Sequence, residues 1–255
     1  MQSSATTGIS YCIGCGGEVR PGDRFCGSCG TSLLRETARA SKDAFSVLTP
    51  SLIFYFVTLS LLGVYKLTDV FAADFESFVI VDVATSLIVS VFWIMARKDL
   101  APLFTLKGIR ISIALLTMAG AIVSCLVVSV VADFINVSLY ESTFSETWLF
   151  EETSSPLLYA VIFTCVQPAI FEEVAFRGFL FNNIQQISTA ASTVYITAFV
   201  FGIIHLTIIS MLWLVPLGLV FGLLRAKYNT LWYGIIGHFT YNLGVVLLEY
   251  VQTIG

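Results

Sequence analysis

Three short runs in this 255-residue chain set polar and ionisable side chains inside otherwise apolar sequence. The longest reads Gln167-Pro168-Ala169-Ile170-Phe171-Glu172-Glu173-Val174-Ala175-Phe176-Arg177. On a helix, Glu173 and Arg177 at i, i+4 share a face and can pair. Glu172 projects about 100° away from Glu173 and is left out of that pair. Pro168 has no N–H, so it should bend the helix and leave the carbonyl of Thr164 to another partner. Phe201 and His205, and then His238 and Asn242, repeat the four-residue spacing further along. His205 and His238 are the chain's two histidines. A carboxylate, two imidazoles and an amide from three helices can converge on one site, as inward-facing side chains of helical bundles do.

Each of these groups also has a bland use. A lone intramembrane His or Asn can be interhelical glue, contributing about 0.6–1.7 kcal/mol. Glu173 with Arg177 can be a structural clamp, and that is the role expected of Glu173. Two adjacent carboxylates and an arginine on one apolar helix resist such a reading, because ionisable groups at membrane depth cost several kcal/mol and mark function by default.

A second chemical pattern lies near the N-terminus, where Cys12-x2-Cys15 and Cys26-x2-Cys29 are ten residues apart and glycine follows three of the four cysteines. Each Cys-x2-Cys turn presents two thiolates, and two turns complete the tetrahedral shell of a structural zinc site. A module of about 20 residues has too little apolar surface to fold alone, so metal would supply most of its folding free energy. With cysteine at all four positions no coordination site stays open. The module, residues 11–30, is therefore expected to be a structural zinc ribbon that docks a cytosolic protein or regulates the rest of the chain. Disulfides are the competing reading, disfavoured in a reducing cytosol. It is similar to the short zinc ribbons found at the N-termini of microbial membrane proteins.

The elements that must position the first set follow from composition. The chain is 57% hydrophobic and only 12% charged, where soluble domains carry roughly 25% charged residues. That excludes a cytosolic globule, and the 35 aromatic residues (21 Phe, 10 Tyr, 4 Trp) exclude disorder. A net charge of −4 argues against nucleic acid as a partner. The reading is an all-α polytopic membrane bundle of about seven transmembrane helices, preceded by the small cytoplasmic ribbon. The expected parts are a flexible tail (1–10), the ribbon (11–30), a polar linker (31–45), N-terminal spans with an acidic outer loop (46–154) and a C-terminal core (155–250). Apolar runs fall at about 46–66, 77–96, 111–132, 155–181, 190–208, 211–226 and 230–250, each near the ~20 residues that cross a bilayer. The run between Tyr195 and Leu224 has no clear polar break; it is split near Ser210, since one unbroken helix would be about 45 Å long and would reverse the C-terminus. Cys125 and Cys165 are expected to be inert core residues.

Charge agrees with this topology. With the N-terminus cytoplasmic, Arg20, Arg24, Arg35, Arg39, Lys42, Arg97, Lys98, Lys107, Arg110, Arg225 and Lys227 fall inside, leaving only Lys66 and Arg177. Asp69, Asp74, Glu76, Asp133, Glu141, Glu146, Glu151 and Glu152 fall outside. This is the positive-inside pattern.

Glu172-Glu173-x3-Arg177, Phe201-x3-His205 and His238-x3-Asn242, in that order, resemble the three motifs of the CAAX protease and bacteriocin-processing (CPBP, or Abi) intramembrane endopeptidases. The likeness covers about residues 155–248. It implies that Glu172 is a general base assisted by His205, that His238 and Asn242 hold the oxyanion, and that Glu173 and Arg177 position the site, with Phe201 supporting. An older view of the family is metal-dependent, with Glu172, His205 and His238 as ligands around an open water position. The metal-free route is preferred, because Asn242 suits an oxyanion donor better than a zinc ligand. The expectation is an intramembrane peptidase of a prokaryotic cell membrane, acting on a membrane-associated peptide or protein. The alternative is a non-enzymatic scaffold that recruits cytosolic partners through the ribbon. A proton-coupled transporter is disfavoured, because no matched pair of broken helices is evident.

Overall fold

A computed structural model of the chain describes residues 10–12, 16–19, 44–140, 145 and 147–254. Of the four N-terminal cysteines only Cys12 is among them; Cys15, Cys26 and Cys29 lie outside the described residues. Ser10–Tyr11 (β1) and Glu18–Val19 (β2) pair antiparallel. Between them Gly16, at φ +70°, donates its N–H to the Cys12 carbonyl at 2.7 Å, and Cys12 is buried against Val19.

Among the described residues seven longer helices follow: α1 (Ala44–Leu67), α2 (Phe75–Met95), α3 (Ile111–Tyr140), α4 (Pro156–Ile184), α5 (Ala190–Ile204), α6 (Met211–Tyr228) and α7 (Trp232–Ile254). Their outer faces are apolar. On α3 alone, Leu115, Leu116, Ile122, Val123, Leu126, Val127 and Val130 are exposed, a continuous surface that water would penalise and lipid would not. Among the described residues five helices, α1 to α4 and α6, are long and apolar enough to cross a bilayer. The chain is an integral membrane protein. By length and composition these are five of the seven expected spans. The 15 residues of α5 extend only about 22 Å, short of a ~30 Å hydrocarbon core. The 23 residues of α7 are diluted by His238, Thr240, Asn242 and Glu249.

The chain breaks between α5 and α6, as the split near Ser210 anticipates. Residues 205–210 are not helical, and Leu206 takes a left-handed φ of 57° to turn the chain. The two helices then pack antiparallel on small residues: a Cβ at Gly218 would lie 3.0 Å from Ala198 Cα, and one at Gly222 3.1 Å from Val194 Cγ1. Close backbone approach of this kind is how helices associate when lipid offers no hydrophobic incentive. Because α5 and α6 go out and return, α7 runs parallel to α3. Gly237 faces Thr117 and Gly244 faces Cys125, while at their starts Leu231 N–H and Trp232 Nε1–H bond the carbonyls of Leu103 and Phe104. One unbroken helix over 195–224 would have turned α7 the other way.

The charges sort onto the two ends of the bundle. Arg97, Lys98, Lys107, Arg110, Arg225 and Lys227 lie where α2 and α6 end and α3 and α7 begin; Asp69, Asp74, Glu76, Glu151 and Glu152 lie at the opposite end. Phe54, Leu100, Phe176, Phe179, Phe201, Ile204 and Leu231 build the main core, drawn from α1, α4, α5 and the connections beside them. Cys125 and Cys165 are buried in two separate smaller clusters.

Candidate active site

The helix α4 carries the first motif and is wound loosely at two places, Val161–Val166 and Glu173–Leu180, where the backbone takes π-helical turns. Such bulges concentrate at functional sites. Pro168 accounts for the neighbourhood of the first, since it cannot donate to Thr164. The carbonyl of Thr164 receives instead an N–H from Asn242 Nδ2 on α7, at 2.7 Å. The second π turn is buried along its whole length. Within it Arg177 Nη1 stands 2.9 Å from Glu173 Oε1, with both side chains at most 1% exposed. The expected pair is present.

Helices α5, α6 and α7 close around this pair. The Arg177 guanidinium lies 4.4 Å above the centre of the Phe201 ring and 5.5 Å from that of Phe221, and it reaches the Gly218 carbonyl at 3.5 Å. Cation–π contacts and a carbonyl thus share the charge that Glu173 balances. Gly234 on α7 lets Glu173 approach, because a Cβ there would overlap Glu173 Oε2.

His238 stands between the two glutamates. Its Nδ1 is 3.4 Å from Glu173 Oε1 and its Nε2 is 3.8 Å from Glu172 Oε2. Phe221 stacks on one face of the ring, with centroids 5.9 Å apart and planes 25° apart. His205 follows the last turn of α5, and its Nδ1 is 2.9 Å from the Phe201 carbonyl. A carbonyl only accepts, so that contact requires Nδ1–H and leaves Nε2 as the proton acceptor of the neutral ring. No hydrogen bond or ion pair joins His205 to Glu172, although the two are near enough for their charges to interact.

Glu172 is the group that opens outward. Its side chain is 30% exposed and lines a cavity of about 150 Å³ between α1, α2 and α4. The walls are mostly rings and aliphatic groups, including Phe54, Phe78, Phe171 and Phe176. The polar lining is sparse: Thr58, Tyr65, Asp82, Thr85, Gln167 and Glu172. Gln167 is tethered by its Nε2–H to Ser86 Oγ at 2.7 Å.

The structure therefore brings Glu172, Glu173, Arg177, Phe201 and His238 together, with His205 beside the same ring cluster and Asn242 one turn further along α7. It also adds groups the motif reading passed over. Asp82 lies within α2 on the cavity wall, in electrostatic reach of Glu172; the signal was a single acid inside the apolar run Val79-Ile80-Val81-Asp82-Val83. Phe221 and Gly218 of α6 carried no legible signal, being ordinary residues of an apolar helix. Among the described residues no three His, Cys, Asp or Glu side chains group closely enough to hold a metal ion.

Comparison with curated proteins and with solved structures finds no match. Residues 154–244, from the approach to α4 through His238 and Asn242, match the family of type II CAAX prenyl endopeptidases described as Rce1-like; the matched segment contains all seven residues of the three motifs.

Proposed function

We propose that the chain is an intramembrane endopeptidase of the CPBP type that hydrolyses a peptide bond in a membrane-associated peptide or protein. The observation that carries this reading is the contrast between two adjacent carboxylates. Glu173 is sealed against Arg177, whereas Glu172 lines the cavity. In this mechanism Glu172 takes a proton from a water as its oxygen attacks the scissile carbonyl, and His205 Nε2 accepts the water's other hydrogen bond. The oxyanion is held by His238 and by the second N–H of Asn242, whose first is committed to Thr164. As the intermediate collapses, Glu172 returns its proton to the departing amine. A base of this kind contributes about 10²–10⁴-fold.

The likeness of residues 154–244 to type II CAAX prenyl endopeptidases supports peptide hydrolysis and suggests the probes. Purified protein in detergent is given an internally quenched peptide with a farnesylated cysteine, and a second peptide embedded in a transmembrane segment. Glu172→Gln should abolish cleavage of whichever probe the wild type cuts, with the thermal unfolding temperature retained. Turnover that survives this change would sink the proposal.

For the N-terminal segment the reading remains a cytoplasmic zinc ribbon, residues 11–30, which docks a protein partner. The turn at Cys12 supports it, because glycine at positive φ folds the chain back beside a buried thiol as a metal knuckle requires. The sorting of basic residues to one end of the bundle supports a cytoplasmic N-terminus, and the ribbon-plus-core arrangement supports a prokaryotic membrane.

A further inference from the structure

Arg225 counts, on sequence, as one more cytoplasmic positive charge at the end of α6, and the structure gives it different work. It is 4% exposed, and three nitrogens of its planar fork are placed. Nε donates to the Arg177 carbonyl at 2.9 Å, Nη1 to Asn229 Oδ1 at 2.7 Å and Nη2 to Asn182 Oδ1 at 2.6 Å. The guanidinium lies 4.9 Å from the centre of the Phe181 ring. The position of the first contact matters most. Where the π turn ends, the Phe181 N–H bonds the carbonyls of Phe176 and Gly178. It thus skips Arg177, its partner in a regular α-helix. Arg225 occupies the carbonyl passed over.

The contact belongs to a pattern on α6. Gly218, Phe221 and Arg225, at i, i+3 and i+7, share one face. All three touch the site: the Gly218 carbonyl meets the Arg177 side chain, Phe221 packs under Arg177 and against His238, and Arg225 holds the Arg177 backbone. The first motif is therefore gripped at both the head and the carbonyl of Arg177 by a helix that carries none of the motifs. Asn229, in the left-handed conformation that ends α6 (φ 51°), anchors the far side of the fork.

We infer that Arg225 is a positioning residue for the proposed hydrolysis: it fixes the π turn of α4, and so the rotational setting of Glu172, Glu173 and Arg177, by holding the Arg177 carbonyl. This rests on the peptidase reading for its kinetic consequence and on geometry alone for its structural one. A shift of about 1 Å in reacting groups can cost ~10²-fold, so a loosened turn should lower turnover more than binding.

The test compares wild type, Arg225→Lys, Asn229→Ala and Asn182→Ala/Asn229→Ala in detergent, using the quenched peptides above and amide hydrogen exchange. Lysine keeps the charge and loses the fork. Arg225→Lys should lower kcat by about tenfold or more with KM within about twofold, and should speed exchange selectively over residues 173–182. Asn229→Ala, which leaves the Arg177 contact, should keep kcat within about threefold of wild type. Unchanged kcat in Arg225→Lys, a rise confined to KM, or exchange accelerated equally in all helices would each overturn the inference. If Arg225→Lys does not fold, the double change Asn182→Ala/Asn229→Ala, which frees both ends of the fork, decides: faster exchange over 173–181 supports it, and unchanged exchange overturns it. If the wild type cleaves neither peptide, the peptidase reading fails by itself and exchange in Arg225→Lys still decides the positioning role.

Discussion

Asn242 on α7 donates an N–H to the carbonyl of Thr164 on α4 at 2.7 Å, and Thr164 is the residue whose carbonyl Pro168, four positions later, cannot serve. A proline that unmakes one bond within a helix thus creates an acceptor for the amide of a motif three helices further along the chain. The third motif is docked onto the first through that gap.

The dependence is testable as a double-mutant cycle. Asn242→Ala should destabilise the protein by about 1–2 kcal/mol, the cost of leaving a partly buried acceptor unpaired. In a Pro168→Ala background the restored N–H of residue 168 can serve Thr164, so the same Asn242→Ala change should cost less. Thermal unfolding of the four proteins in detergent would read the coupling; equal costs in both backgrounds would show the two residues to be independent.

Removing Arg177 should be far more damaging than its single charge suggests. Arg177→Met strands Glu173, which is fully buried, and breaking such a pair costs about 3–5 kcal/mol. The double variant Glu173→Gln/Arg177→Met should recover part of the loss, because no charge is then stranded. Folded yield and unfolding temperature give the ranking, and a double variant worse than Arg177→Met would contradict it.

Glycine substitutions separate packing from propensity. Gly234→Ala puts a methyl into Glu173 Oε2 and should destabilise by about 1–3 kcal/mol while disturbing the site. Gly120→Ala, in α3 with nothing within 4 Å of the added Cβ, should be neutral or stabilise by up to about 1 kcal/mol. Similar unfolding temperatures for the two variants would mean that α4 and α7 are less tightly apposed than described.

Metal analysis addresses the N-terminal ribbon. Purified chain should carry about one zinc, and Cys26→Ser should lose it while the membrane helices unfold at the wild-type temperature, since the ribbon's folding is driven by its own metal. A second equivalent of zinc that survives Cys26→Ser would point to metal in the membrane core.

Membrane class, the α5–α6 break and the three polar motifs were all legible in the sequence, because each rests on local properties: hydropathy, a turn, or a charge that lipid makes expensive. The i, i+4 spacing was enough to expect Glu173 with Arg177, and a missing N–H was enough to expect a new partner for Thr164. Which partner was not legible, since Asn242 is 78 residues away and its choice depends on α7 lying parallel to α3 and against α4. The acid in α2 was passed over for the same reason: Asp82 matters only because packing sets it on the cavity that Glu172 opens into. Arg225 shows the limit most sharply. By sequence it is indistinguishable from Lys227 two residues on, and helical rotation alone separates them, turning one guanidinium inward onto a carbonyl that a π turn had left behind. Local chemistry could nominate the reactive groups; their setting was decided by how α6 and α7 pack on α4, through glycine contacts and backbone carbonyls that carry no signature of their own.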